Sequence, residues 1–443
     1  MIAIQNPSAF AKGSLQFVDA YYDIRSGYTG KPDSFSISGY SGALPITIQN
    51  MPEEQLGAVY GSGDGSLNSV SYGKESTSGS TSGLNGLSSS IFTTRNQSYV
   101  FAASQSTHVL TVIDHVAGGS FPLSLPGVYR VSVNPGGSMA LAFVQNSNYA
   151  YFPVKLTSAQ TTSFSGGPPT WPKAAVDCEP QNAPGWCLFQ AQSPDHVDST
   201  GTYYGAPLNF DRPVKAVFSI DGGTAYVLNC GPECGGSNSS VSILPVAPMI
   251  YLIGQASGTL PTNTALANST IAIPGGASNA LVDSSTMYVA GQQPQQVAGE
   301  TLFAGNLTVV NLGNNTAGSP IAISDGLPGG PSRMIEADNN TLWIAMTKCN
   351  NGVRAATGLP YGCLTMFNTS TSSVTMLEPY LGDATGIAAV TGLSKIYTAE
   401  GGQVYIYTTG DGTALDNQYV TVTGTAYDVA YMDATTDANN TVY

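Results

Sequence analysis

The segments PVKAVFSIDGGTAYVLN at 213–229 and GVYRVSVNPGGSMALAF at 127–143 follow one grammar: an apolar strand, a turn of Asp, Asn and Gly, then a second apolar strand. Four further segments repeat it: SSSIFTTRNQSYVFAAS at 88–104, ASNALVDSSTMYVAG at 277–291, PSRMIEADNNTLWIAM at 331–346 and ATGIAAVTGLSKIYTAE at 384–400. Weaker copies are IQNMPEEQLGAVYG at 48–61 and TAYDVAYMDATTDANNTVY at 425–443. After each unit but the last comes a loop and a third strand, such as HVLTVIDH, SVSILPV or VYIYTTG. A unit of about 55 residues that cannot bury both faces alone must stack on its neighbours, which restricts the chain to a repeat architecture.

The last unit lacks a third strand, while SLQFVDA at 14–20 has third-strand form and no first or second strand before it. Pairing that strand with the C-terminal unit would close a ring and remove two exposed sheet edges. The expectation is an all-β fold, a single β-propeller of about eight four-stranded blades over residues 1–443, or seven if 44–77 is not a full blade. The units divide as 44–85, 86–126, 127–211 with an insertion at 158–211, 212–276, 277–330, 331–382 and 383–423. The last blade starts at 424–443 and takes its closing strands from 14–43. A β-helix or a sandwich array is the alternative reading of the same repeats. Strand donation in trans, to a neighbouring subunit, is the alternative to closure within one chain and would give homo-assembly.

Only 9% of residues are charged, against 51 glycines, so the helix-surface formers are scarce and no long 3.6-residue period appears. The formal charge of −14 excludes a phosphate-binding basic face and with it nucleic-acid binding. No apolar stretch is long enough to span a bilayer. MIAIQNPSAFAKG has neither a basic n-region nor a long apolar h-region, so no signal peptide is read here.

Six cysteines fall into local pairs: Cys178 with Cys187, Cys230 with Cys234, and Cys349 with Cys363. The runs TLWIAMTKC and GCLTMFN set Cys349 and Cys363 at the base of a hairpin, and VLNCGPECGG clips a tight turn. Disulfides are the expectation, and they imply an oxidising compartment, hence an extracellular or cell-surface protein. Zinc is the rival, but Cys-x3-Cys has no second pair at finger spacing, and His108, His115 and His196 are not placed to complete it. The expected metal and cofactor content is none. GSGDGSLN at 61–68 and TTGDGTALDN at 408–417 read as hairpin turns, since neither spaces carboxylates as a calcium loop does. Glycosylation sequons stand at Asn96, Asn238, Asn268, Asn306, Asn314, Asn339, Asn368 and Asn439.

No catalytic residues are assigned, since no G-x-S-x-G elbow, H-E-x-x-H, P-loop or dinucleotide fingerprint occurs and only three histidines are present. The repeat alignment supplies a ligand-binding candidate instead. The position just before the innermost strand of each blade reads Ser89, Arg130, Lys215, Asn279, Arg333, Gly386 and Asp428. Arg130, Lys215, Asn279, Arg333 and Asp428 would then line the channel mouth, and its three cations would suit a carboxylate, sulfate or sugar acid. The competing reading is that the cations pair with Asp428, Glu336 and backbone carbonyls as a structural plug.

DGGTAYVLN at 221–229, NQSYVFAAS at 96–104 and HVLTVID at 108–114 resemble the secreted β-propellers with YVTN-type repeats, whose units read like "gGtraYVaN…ntVsVID". VLNCGPECGG is also similar to repeat proteins of acidobacterial type. The resemblance covers most of the chain from about residue 44, plus 14–20, and implies a bacterial propeller of surface-layer, adhesion or scaffold kind. Its motifs speak for fold and are nearly silent on chemistry. The expected function is a non-catalytic extracellular binding, adhesion or assembly module whose partners are surface proteins, polysaccharide or itself. A channel-mouth lactonase or quinone-dependent dehydrogenase is the alternative.

Overall fold

Thr224–Asn229 shows why these segments become strands. In TAYVLN, Ala225, Tyr226, Val227 and Leu228 are all buried, so both faces of the strand are covered and the run is continuously apolar rather than alternating. The strands on either side, Pro213–Phe218 and Ser240–Pro245, pair with it antiparallel in continuous register apart from one bulge. The turn DGG between the first two closes because Gly222 adopts φ +69°, where a side chain is strained.

The computed structural model describes residues 1–6, 12–21, 35–37, 39–155, 175–179, 185–191, 196–197, 203–204, 208–246, 269–297, 299–324, 329–347, 363–377 and 382–432. Its fold is an all-β propeller of eight blades, as the repeats predict. Six blades are four-stranded sheets and two carry an additional strand. The described residues form two compact units: Met1–Ser82 with Val289–Thr308 and Ser319–Tyr443, and Gly83–Tyr288 with Val309–Gly318.

In the first unit the last blade has the strand order Phe35–Ser36, Ser14–Phe17, Ile2–Gln5, Thr425–Val429. Closure by Ser14–Phe17 therefore occurs as expected, but through a strand that the repeat reading did not call. Ile2–Gln5 is the second strand, pairing Ile2 with Val429 and Ala3 with Asp428 on one side and Ala3 with Leu15 on the other. The C-terminal segment supplies only the first strand among the described residues. Ile2 and Ile4 pack on Ala388, Val390, Tyr397 and Val404 of the preceding blade. Ala3 and Leu15 pack on Ile48, Val59 and Val70 of the following one. Each fully buried aliphatic side chain contributes roughly 1.5–3 kcal/mol, so the N-terminal strands bind two neighbouring blades at once.

In the second unit the 158–211 insertion contributes strands of its own. Trp186–Gln190 pairs with Ala150–Lys155, and Ala175–Glu179 pairs outside it, making a five-stranded sheet. Cys178 and Cys187 face each other across that outer pair and are bonded, as are Cys230 and Cys234 around the short 3-10 turn Gly231–Cys234. No cysteine among the described residues is free, and Cys349 lies outside them. The two acidic glycine loops are turns: Asp64 accepts from the Ala43 and Ser66 amides, and Asp411 from the Thr413 amide and hydroxyl.

A chain lacking residues 1–23 is expected to lose cooperative thermal unfolding and near-ultraviolet circular dichroism, and to recover both when the 1–23 peptide is added. Native behaviour of the truncated chain alone would contradict the closure described here.

Candidate functional site

The first strand of a blade has a partner on one edge only, so its other amides need acceptors from elsewhere. A bulge recurs at the same place in these strands: between Pro45 and Thr47, Val128 and Arg130, Pro213 and Lys215, Pro331 and Arg333, and Ala384 and Gly386. The bulged residue is left off the ladder, the residue after it is back in register, and polar side chains at that following position reach toward the next blade. Ser90 Oγ accepts from the Val131 amide in this way. Register thus places Ser90, the partner of Ala103, at the aligned position, one residue past Ser89, whose amide donates to the Ala103 carbonyl.

In the first unit the position gathers Arg333, Gly386 and Asp428. Asp428 is fully buried, and its Oδ2 accepts from the Ile48 amide at 2.7 Å while pairing with Arg333 Nη2 at 3.1 Å. Its Oδ1 accepts from the Val429 amide. Gly386, on the intervening strand, makes the crossing feasible, since a Cβ there would lie 2.7 Å from the Asp428 Cα and 2.8 Å from Oδ1. Burial pushes the Asp428 carboxyl up to about 6, against Arg333 and the two amides, which favour its ionised form.

In the second unit the position gathers Arg130, Lys215 and Asn279. Lys215 and Asn279 are both buried, and Lys215 Nζ donates to Asn279 Oδ1 at 2.6 Å. Arg130 is half-buried, donates through Nη1 to the Val214 carbonyl at 3.3 Å, and lies over the Tyr129 ring at 5.6 Å. The five predicted residues thus form two groups, and both groups are tied internally by an ion pair or hydrogen bonds.

Two buried polar groups carried no sequence signal. Glu400, 1% exposed, accepts from the Tyr407 hydroxyl at 3.1 Å and from the Cys363 amide, and burial pushes its carboxyl up to about 7. Asp114, fully buried, is paired with Lys155 at 2.6 Å and accepts from the Trp186 indole. Burial alone would raise Asp114, but Lys155, the Ala117 amide and Trp186 together hold it below the usual carboxylate range. Each is the last residue of an apolar strand, and only the location of its partners, Lys155 and Trp186 for Asp114 and Tyr407 for Glu400, distinguishes it from a turn residue. His108 and His115 are exposed, and the side chain of His196 lies outside the description. Of the sequons, Asn96, Asn238, Asn314 and Asn339 are exposed, Asn368 is half-buried and Asn306 is buried; Asn268 and Asn439 lie outside the described residues.

No family model matches the chain, and no curated protein matches it. Among solved structures it is similar to the hydrazine synthase of Kuenenia stuttgartiensis, 12% identical with a TM-score of 0.51 over 84% of this chain and 99% of that one. It is similar also to the dihydro-heme d1 dehydrogenase NirN solved in complex with DHE, 11% identical with a TM-score of 0.50 over 96% and 74%. The Cps50 (Swd1) beta-propeller domain of Myceliophteria thermophila is 10% identical with a TM-score of 0.46 over 81% and 94%. At these identities the likeness is one of fold alone.

The carboxyls set the pH dependence of stability. Asp428 and Glu400 have folded values above their ordinary ones, so their contribution is full below about pH 4 and is lost as pH rises through about 6 and 7. Asp114 is shifted the other way and loses its contribution only as pH falls below the ordinary carboxylate range. The thermal midpoint is therefore expected to peak near pH 4–5 and to fall toward pH 6, above which the Met1 amine, lowered by burial to about 5, offsets further loss. Glu400→Gln should remove roughly 3 kcal/mol of that fall. A midpoint that climbs steadily from pH 5 to 8 would contradict the assignment.

Proposed function

We propose that the chain is a non-catalytic propeller of the secreted YVTN type that works outside the cytoplasm as a binding and assembly module, with Arg130 contacting an acidic group of an extracellular polysaccharide. The carrying observation is the unequal use of the three cations on the first strands. Arg333 is neutralised by Asp428, and Lys215 is buried against Asn279. Arg130 gives one N–H to a carbonyl and is half-buried, so its guanidinium keeps donors for a ligand carboxylate or sulfate. Lys215, Asn279, Arg333 and Asp428 act in this reading as the frame that holds the neighbouring strands.

The remaining surface suits the same role. The outer strand Ser76–Thr81 is a largely exposed run of Ser, Thr and Gly. The bonded pairs Cys178–Cys187 and Cys230–Cys234 suit an oxidising compartment.

Calorimetry with polygalacturonate and with neutral dextran tests the reading. Polygalacturonate is expected to bind in a salt-sensitive way, and Arg130→Gln to weaken it about tenfold, as loss of one charge-assisted contact does, with the melting curve unchanged. Undiminished binding by Arg130→Gln would reject the contact, and time-dependent release of reducing ends would replace the binding module with an enzyme.

A further inference from the structure

A cavity of about 490 Å³ lies within the first unit, and none of its lining residues is a first-strand cation. Its walls come from the segment after Ser14–Phe17, the turn 391–393, the end of Thr425–Val429 and the turn at Tyr72. Asp338 stiffens one wall, accepting from the Gly392 and Ser394 amides at 2.8 Å each. The volume is in the range of small-molecule sites.

Its lining is aromatic and carries one charge. Phe17, Tyr21, Tyr72, Tyr397 and Tyr431 supply rings, and Asp19 is the one ionisable carboxylate in the lining. Asp19 Oδ1 accepts from the Tyr21 amide at 2.9 Å, which leaves Oδ2 facing no partner among the described residues. The lining contains no Lys, Arg or His. The Met1 amine, also in the lining, donates to the Ala430 carbonyl, and burial lowers it to about 5, so it is uncharged at neutral pH. Lys395, on the same strand as Tyr397, donates to the Ala20 carbonyl.

Three ligand classes can be compared on that lining. An anion would meet Asp19 in a protein of formal charge −14. A sugar would bury many hydroxyls against a wall whose non-aromatic polar side chains are Asp19 and Thr391 alone, leaving most of them unpaired. An organic ammonium gains from both features, since ring faces attract a cation and a carboxylate neutralises it. We propose that this cavity binds a small organic cation, an alkylated ammonium group seated among the tyrosine rings with Asp19 as its counter-ion.

Choline is the probe, titrated into the full-length chain by calorimetry, with its neutral isostere, in which carbon replaces the ammonium nitrogen, as the control. Saturable choline binding is expected, with the isostere about tenfold weaker. Asp19→Asn and Tyr21→Ala should each weaken choline binding by a similar factor. Both residues are exposed, Tyr21 at 68%, so these variants should keep the parent melting curve. Arg130→Gln should bind choline normally, which separates this site from the polysaccharide contact. Equal binding of choline and its isostere, binding unaffected by both variants, or no choline binding at all would overturn the proposal.

Discussion

A buried carboxylate tied to a guanidinium two blades away braces the blade in which Ile2–Gln5 pairs with Thr425–Val429. Asp428 stands on the strand that pairs with Ile2–Gln5, in a sheet that joins segments more than 400 residues apart. A buried charge must be paired, because removing one partner costs roughly 3–5 kcal/mol. Arg333 is that partner, and the Ile48 amide on the following blade is a second. The three elements can therefore be satisfied only when they sit in their native order. Gly386 belongs to the same constraint, since any larger residue would block the line between the two charges. Hydrophobic packing of Ile2, Ile4, Ala3 and Leu15 supplies the energy of closure, and the ion pair supplies its register.

The architecture was legible because its signal is periodic. Runs such as TAYVLN and VLTVID are strands with both faces covered, and the DGG and NPGG turns between them fix where each hairpin folds back. The strand Ser14–Phe17 was visible by its third-strand form. Ile2–Gln5 was not, since IAIQ is four residues long and stands without the turn and partner that identify a second strand elsewhere. The strands of the 158–211 insertion escaped for a similar reason: Trp186–Gln190 follows no repeat and is fixed by Cys178–Cys187 and by Trp186 reaching Asp114.

The candidate positions were legible as positions and not as partners. Arg130, Lys215 and Arg333 each follow the bulge of a first strand, whereas the aligned position in the blade of Ser90 lies one residue past Ser89, where no large side chain marks the register. What alignment lacks is reach. Whether a cation at that position meets a ligand or its own chain depends on the neighbouring blade, and Arg333 and Arg130 differ there: Asp428 in one case, a bare carbonyl in the other. Glu400 and Tyr407 show the same limit, because nothing local distinguishes a buried glutamate from one at an exposed hairpin end.

A double-mutant cycle between Arg333 and Asp428 measures the central constraint directly. With Arg333→Met, Asp428→Asn and the double variant, chemical denaturation at pH 8 should give a coupling energy of about 2–3 kcal/mol, decaying as pH falls through about 6 and the carboxyl protonates. Additive effects, within about 0.5 kcal/mol at pH 8, would show that the pair does not hold the closing strand and would contradict the account.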